Sequence, residues 1–274
     1  MANILILGAG AMGTAFAYPC IDNKHNVSIV GTHLENNTID HLNSKHFHTG
    51  LNLNVSNAIK FFKYELINSV FETKPDLVVL GISSKGIVWA ANELKKNSYN
   101  GELPPLLMLT KGLSLNDNKY ELLGDKLTRL LEEKEIKNLN ISAVGGPCLA
   151  TGLASRVQSG VVIASKDNDT ANMLKDLLTT SYYRISTSTD INGVEVCAAI
   201  KNIFAMAIGA APGLNQSNIN DNTYLNTSAV LIRQSIYEME IFVEFLKGKK
   251  ETAKGLAGLG DLYVSAAGGR NSKM

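Results

Sequence analysis

Cysteine is scarce in this chain of 274 residues: Cys20, Cys148 and Cys197 are odd in number and scattered. None has metal-ligand spacing, so a reducing, intracellular setting with no metal is expected. An excess of either charge is also missing. Lys and Arg total 26 against 25 Asp and Glu, a formal net charge of +1. That balance argues against a nucleic-acid footprint and against a polybasic membrane surface. The N-terminal MANILILGAGAMG has an apolar run too short for a secretory signal and no basic leader. A soluble cytoplasmic protein is expected. Low-complexity segments and internal repeats are absent.

What is present describes a globular protein, 45% hydrophobic and 19% charged, of a length that favours two domains. Short apolar runs at residues 3–7, 27–30, 77–82, 106–109, 141–144 and 161–164 read as strands. Helical patterns lie between several of them, such as 119–135, where Leu122, Leu123, Leu127, Leu130 and Leu131 recur. Continuous apolar strands alternating with amphipathic helices predict an α/β, Rossmann-like, doubly wound parallel sheet covered on both faces. Past residue 190 no strand is convincing, and helical patterns cover 194–211 and 226–245. A Rossmann domain over 1–189 and an all-helical second domain over 190–274 are therefore expected. The long apolar helices would suit a homodimer.

The segment VEVCAAIKNIFAMAIGAA at 194–211 is apolar on nearly every side, with Lys201 and Asn202 at its middle. A helix hydrophobic all round is expected to be buried all round, and an ammonium inside it is costly unless paired or shifted in pKa. Proton transfer is the leading explanation for such a lysine, against a side chain that snorkels to water. Its central charge and its glycine make the segment a poor membrane span.

Gly8-Ala9-Gly10-Ala11-Met12-Gly13 is a GxGxxG pattern directly after a strand and at the start of a helix. There Gly8 permits a tight turn, Gly10 lets backbone approach a pyrophosphate, and Gly13 lets helix and sheet pack closely. A dinucleotide is expected. Pro19 falls inside the following helix and should kink or shorten it. The acidic residue that grips the ribose 2′-hydroxyl of NAD is missing from the usual place, where the chain reads Gly31-Thr32-His33-Leu34-Glu35. Thr32 and His33 could accommodate a 2′-phosphate, and Glu35 could serve NAD if the turn brings it back. NAD and NADP both stay open.

Four further segments carry polar groups at unusual places: Thr110-Lys111-Gly112-Leu113 after a buried strand, Gly145-Gly146-Pro147-Cys148-Leu149-Ala150 after the next, Gly258-Leu259-Gly260-Asp261-Leu262, and Gly268-Gly269-Arg270-Asn271. With GAGAMG, GVEVCAAIKNIFA and the Glu238-Met239 pair, they stand in the order of one family. The chain resembles the soluble NAD(P)-dependent glycerol-3-phosphate dehydrogenases from Ile4 to Asn271. The resemblance implies hydride transfer between NAD(P)H and dihydroxyacetone phosphate, giving sn-glycerol 3-phosphate for phospholipid synthesis. It implies that Lys201 exchanges a proton with the C2 oxygen and that Asp261 orients it. Lys111 would face the substrate, Asn202 would share that site, and Gly146 and Cys148 would line it. Arg270 and Asn271, with Gly269 before them, would hold the phosphate, and Ala11, Met12, Lys111, Ala150 and Arg270 would contact the cofactor. The partner is thus a phosphorylated triose.

The sequence departs from the family where Cys148 and Gly269 replace serines; the second change loses a hydroxyl. Family members also continue through further helices past the position of Asn271, so a shortened second domain is expected. Two other readings follow: a cofactor-binding homologue without turnover, and a related two-domain hydroxy-acid dehydrogenase.

Overall fold

The structure is a computed structural model and describes residues 1–216 and 224–269. The chain opens with β1 (Asn3–Leu7), α1 (Ala11–Asp22) and β2 (Asn26–Val30), followed by α2 (Asn36–Lys45), the short strands β3 (Phe47–His48) and β4 (Leu53–Asn54), and β5 (Ile59–Phe62). Next come α3 (Ile67–Phe71), β6 (Leu77–Leu80), α4 (Ile87–Lys96), β7 (Leu106–Met108), β8 (Leu113–Asn116), β9 (Lys119–Leu122) and α5 (Leu123–Glu132). The sheet region ends with β10 (Ile141–Gly145), α6 (Ala150–Ala154), β11 (Ser159–Ser165), α7 (Asn168–Leu178) and β12 (Tyr183–Ser188). Helices follow: α8 (Ile191–Gln216), α9 (Leu225–Phe245), α10 (Glu251–Lys254), a π turn over Leu256–Gly260, and α11 (Asp261–Gly268).

Eight strands form the main sheet in the order β12-β11-β10-β7-β6-β1-β2-β5. It is Rossmann-like and doubly wound, as expected, but not wholly parallel: β10 and β11 pair antiparallel, so β11 and β12 run against the rest. Alternation along β1 sends Ile4 and Ile6 into one layer with Phe16 of α1 and Leu174 and Leu178 of α7. Leu5 and Leu7 enter the other layer, with Val70, Ile87, Leu94 and Leu127 from α3, α4 and α5. Each such side chain contributes about 1.5–3 kcal/mol when fully buried, so the continuous apolar run is what a strand covered on both faces requires.

Three local expectations need correction. The helix expected over 119–135 starts at Leu123, because Lys119–Leu122 pairs antiparallel with Leu113–Asn116. Asp117 and Asn118 between them have φ of 47° and 59°, the left-handed pair that a two-residue hairpin turn needs. Pro19 does not shorten α1, which runs on to Asp22 with Pro19 buried in it. And α8 is not covered on all sides. Val196, Cys197, Ile200, Ala205 and Ile208 pack with Met239, Val243 and Leu262, whereas Ile203 and Met206 are 69% and 48% exposed. By length and composition Ile191–Gly213 could cross a membrane, yet 67% of its most apolar window is buried in protein, as in the core helix of a soluble fold.

Candidate active site

The strand order reverses between β1 and β6, and ligands bind in such sheets at the crevice outside the strand C-termini. The glycines there are sterically required. Gly8 has φ +106°, and a Cβ on it would lie 2.6 Å from the Gly81 carbonyl oxygen after β6. A Cβ on Gly13 would lie 2.4 Å from the Gly8 carbonyl oxygen, and one on Gly81 2.9 Å from Gly13 Cα. Three backbone segments thus meet with no room for a methyl group, which brings the start of α1 up to the turn after β1. That cradle, with a helix N-terminus behind it, fits the pyrophosphate of a dinucleotide.

At the same edge of the sheet β7 delivers Lys111. Its neighbour Thr110 is tied down by hydroxyl bonds to the carbonyls of Leu80 (3.1 Å) and Ile82 (3.0 Å). Asp261 follows the π turn and begins α11, with its side chain 2% exposed. Its Oδ2 accepts from Lys111 Nζ at 3.2 Å, and its Oδ1 accepts a short hydrogen bond from Lys201 Nζ. One buried carboxylate therefore bridges two lysines. Lys201 is 8% exposed, and its pKa is pulled from 10.5 down to about 8. Burial is the main cause, the Lys111 charge adds to it, and Asp261 opposes both. At neutral pH such a lysine is still charged, yet close enough to its pKa to give or take a proton. Met12, Lys111, Gly146 and Cys148 line one small cavity with Leu109 and Tyr183.

Comparison with known proteins bears directly on this arrangement. Residues 3–171 match the N-terminal model described as NAD-dependent glycerol-3-phosphate dehydrogenase, and residues 190–274 match the C-terminal one. The chain belongs to that family. The NADP(+)-dependent glycerol-3-phosphate dehydrogenase of Archaeoglobus fulgidus is 30% identical to it, over 99% of this chain and 78% of the relative. The glycerol-3-phosphate dehydrogenase [NAD(P)+] of Mesoplasma florum is also 30% identical, over 97% and 75%. The crystal structure of glycerol-3-phosphate dehydrogenase from Coxiella burnetii superposes with a TM-score of 0.83 at 25% identity, covering 99% of this chain and 78% of its own.

The fold of this dehydrogenase family thus puts Met12, which follows Gly8, Gly10 and Ala11 and precedes Gly13 in the turn, in one cavity with Lys111, Gly146 and Cys148, while Asp261 links Lys111 to Lys201. Ala150 opens α6 and packs on the same core layer as Met12. Asn202, next to the buried Lys201, is exposed. Gly269 caps α11, its N–H bonded to the Ser265 carbonyl at 3.0 Å. Arg270 and Asn271 lie outside the described residues. His33 is exposed, with its ring centroid 6.3 Å from those of both Tyr64, edge-on, and Trp89, tilted. The turn after β2 does bring Glu35 back: its Oε2 accepts from the N–H groups of Thr32 (2.8 Å) and Ala9 (3.2 Å).

Burial raises the Cys148 thiol to about 11 against the opposing pull of Lys111 and Lys201, so it is not ionised at neutral pH. Among the described residues no group of three His, Cys, Asp or Glu is placed to hold a metal ion. Sequence reasoning missed several buried polar groups, Glu195 and His48 among them. Glu195, six residues before Lys201, accepts from the Gly124 N–H at 3.0 Å and is raised by burial to about 7. A charge inside an apolar helix was a legible signal for it. His48, at the Gly-rich loop, gave no pattern at all.

Proposed function

We propose that this chain catalyses the reversible reduction of dihydroxyacetone phosphate to sn-glycerol 3-phosphate with NADH or NADPH. The bridge from Lys111 through Asp261 to Lys201, with Lys111 sharing a small cavity with Met12 of the glycine-rich turn, is the observation that carries this reading. The bound nicotinamide supplies or takes the hydride. A ketone that gains hydride leaves an alkoxide, and Lys201 Nζ is the donor that protonates the C2 oxygen. In the reverse direction the neutral amine takes that proton. Asp261 holds the lysine in place and keeps its pKa from falling further, while Lys111 adds positive charge beside the substrate. Gly146, Cys148 and Asn202 belong to the substrate side, with Gly269, Arg270 and Asn271 on the phosphate, a dianion suited to an Arg fork. Gly8 to Gly13 and Ala150 serve the cofactor, with Thr32 and His33 at the adenosine end and Arg270 reaching the cofactor as well.

The division at 189/190, a cytoplasmic setting and a homodimer belong to the same proposal. The break between β12 and α8 supports the first, and the exposed Ile203, Met206, Val230 and Phe245 on α8 and α9 support the last. Following NADH and NADPH absorbance with dihydroxyacetone phosphate tests the activity. Oxidation of either cofactor that depends on this substrate is expected. Cofactor binding without turnover would replace this reading with that of a non-catalytic homologue.

A further inference from the structure

The Gly-rich loop is held by more than its glycines. The Ala9 carbonyl accepts from His48 Nε2 at 3.1 Å and, more loosely, from Thr14 Oγ1 at 3.4 Å. On the other side, the Ala9 N–H is held by Glu35. His48 is 6% exposed, and its Nδ1 accepts from the Leu51 N–H at 3.1 Å. A ring nitrogen that accepts carries no proton in the neutral imidazole. Nε2 therefore carries it and donates to Ala9.

The short hairpin that carries His48 is anchored to α1 independently of this bond. Leu51 and Val55 are buried in the core layer of Phe16, and the Tyr18 hydroxyl donates to the Asn54 carbonyl at 3.3 Å. Gly50 lies against both the His48 ring and Ala11: a Cβ there would come within 3.2 Å of Cε1 and 3.8 Å of the Ala11 Cβ. The ring thus rests against its own turn, and that turn meets the start of α1 at Gly50. The peptide joining Ala9 to Gly10 is planar and trans, so its C=O and N–H point in opposite directions. Fixing the Ala9 carbonyl on His48 fixes the Gly10 N–H on the far side, away from the hairpin.

We propose that His48 is a positioning residue for the cofactor. It holds the peptide between Ala9 and Gly10 so that the Gly10 N–H is aimed at the dinucleotide pyrophosphate before the cofactor arrives. This rests on the reading that the loop binds NAD(P). The role does not involve the reacting atoms, so its signature is a loss of cofactor affinity with the chemical step intact.

The test compares the full chain with His48→Leu and His48→Gln by fluorescence titration of NADH and NADPH, steady-state kinetics and thermal melting. His48→Leu is expected to weaken dinucleotide binding about tenfold, the effect of one lost buried hydrogen bond. The KM for cofactor should rise in step, with kcat at saturating cofactor and the KM for dihydroxyacetone phosphate within about twofold of the parent. His48→Gln, whose amide N–H reaches the same carbonyl, is expected to restore most of the affinity. Unchanged binding in His48→Leu would overturn the proposal. So would equal loss in both variants, or a fall in kcat and melting temperature together, since those mark packing rather than a directed donor. If the parent binds neither dinucleotide, the cofactor reading itself fails, which the parent titration shows before any variant is compared.

Discussion

Replacing Lys201 with methionine removes a charge while keeping most of the side-chain length, and the geometry predicts opposite effects on stability and turnover. A lysine whose pKa falls from 10.5 to about 8 is costlier to ionise in the fold by about 3 kcal/mol, at about 1.4 kcal/mol per pH unit. The Lys201→Met variant escapes that cost at pH 7, and the hydrogen bond to Asp261 that it loses is already counted in the shift. Asp261 keeps Lys111 as its cation. The net expectation is a gain of about 3 kcal/mol at pH 7. Because the folded pKa lies below the unfolded one, the parent binds fewer protons folded than unfolded between pH 8 and 10.5. Its stability therefore rises across that window, and the advantage of the variant closes. Urea unfolding of both proteins at neutral pH and near the top of that window measures the difference. Turnover with dihydroxyacetone phosphate should fall by about two to four orders of magnitude, with cofactor binding kept. A variant less stable than the parent at pH 7 would refute the electrostatic reasoning. Near-normal turnover would refute the proton-transfer role.

The reductive rate should fall as pH rises through about 8, and the oxidative rate should rise there, because the first needs the ammonium and the second the amine of Lys201; initial rates in both directions check this. In Asp261→Asn the lysine loses the group that holds its pKa up, so the reductive limb should move to lower pH; a limb that stays put would separate Asp261 from Lys201. Glu195 is raised from 4.5 to about 7, so its burial costs nothing below pH 4.5 and about 3 kcal/mol once ionised. Glu195→Gln keeps the acceptor for the Gly124 N–H, and should gain about 2 kcal/mol above pH 7 and nothing at pH 4 in urea unfolding. Gly13→Ala places a methyl 2.4 Å from the Gly8 carbonyl oxygen, so NADH binding by fluorescence should be lost or weakened by at least about tenfold.

Much of this was legible before any coordinates. The apolar runs around Ile6, Val79 and Leu107 specify buried strands, because a strand covered on both faces must be apolar on both. GAGAMG after the first of them specifies the cradle. Lys201 was conspicuous as a charge in an apolar helix. Less legible was the hairpin strand Lys119–Leu122, whose leucine-rich continuation mimics the start of a helix. The antiparallel edge pair was equally hidden, since local pattern does not encode strand direction.

The sequence by itself determined the order of the main elements, the dinucleotide turn and the conspicuous charge of Lys201, because periodicity, glycine spacing and a charge in an apolar run are local properties, while the roles expected of Lys111 and Asp261 followed from the resemblance to the family. Tertiary structure alone decided that Asp261, 60 residues from Lys201 and 150 from Lys111, lies between the two lysines and sets how the proton is held. It alone placed His48 on the Ala9 carbonyl and Glu35 on the Ala9 N–H. Those pairings depend on how sheet, hairpin and helices come to rest against one another, and residues so far apart in the chain leave no local pattern that announces their meeting.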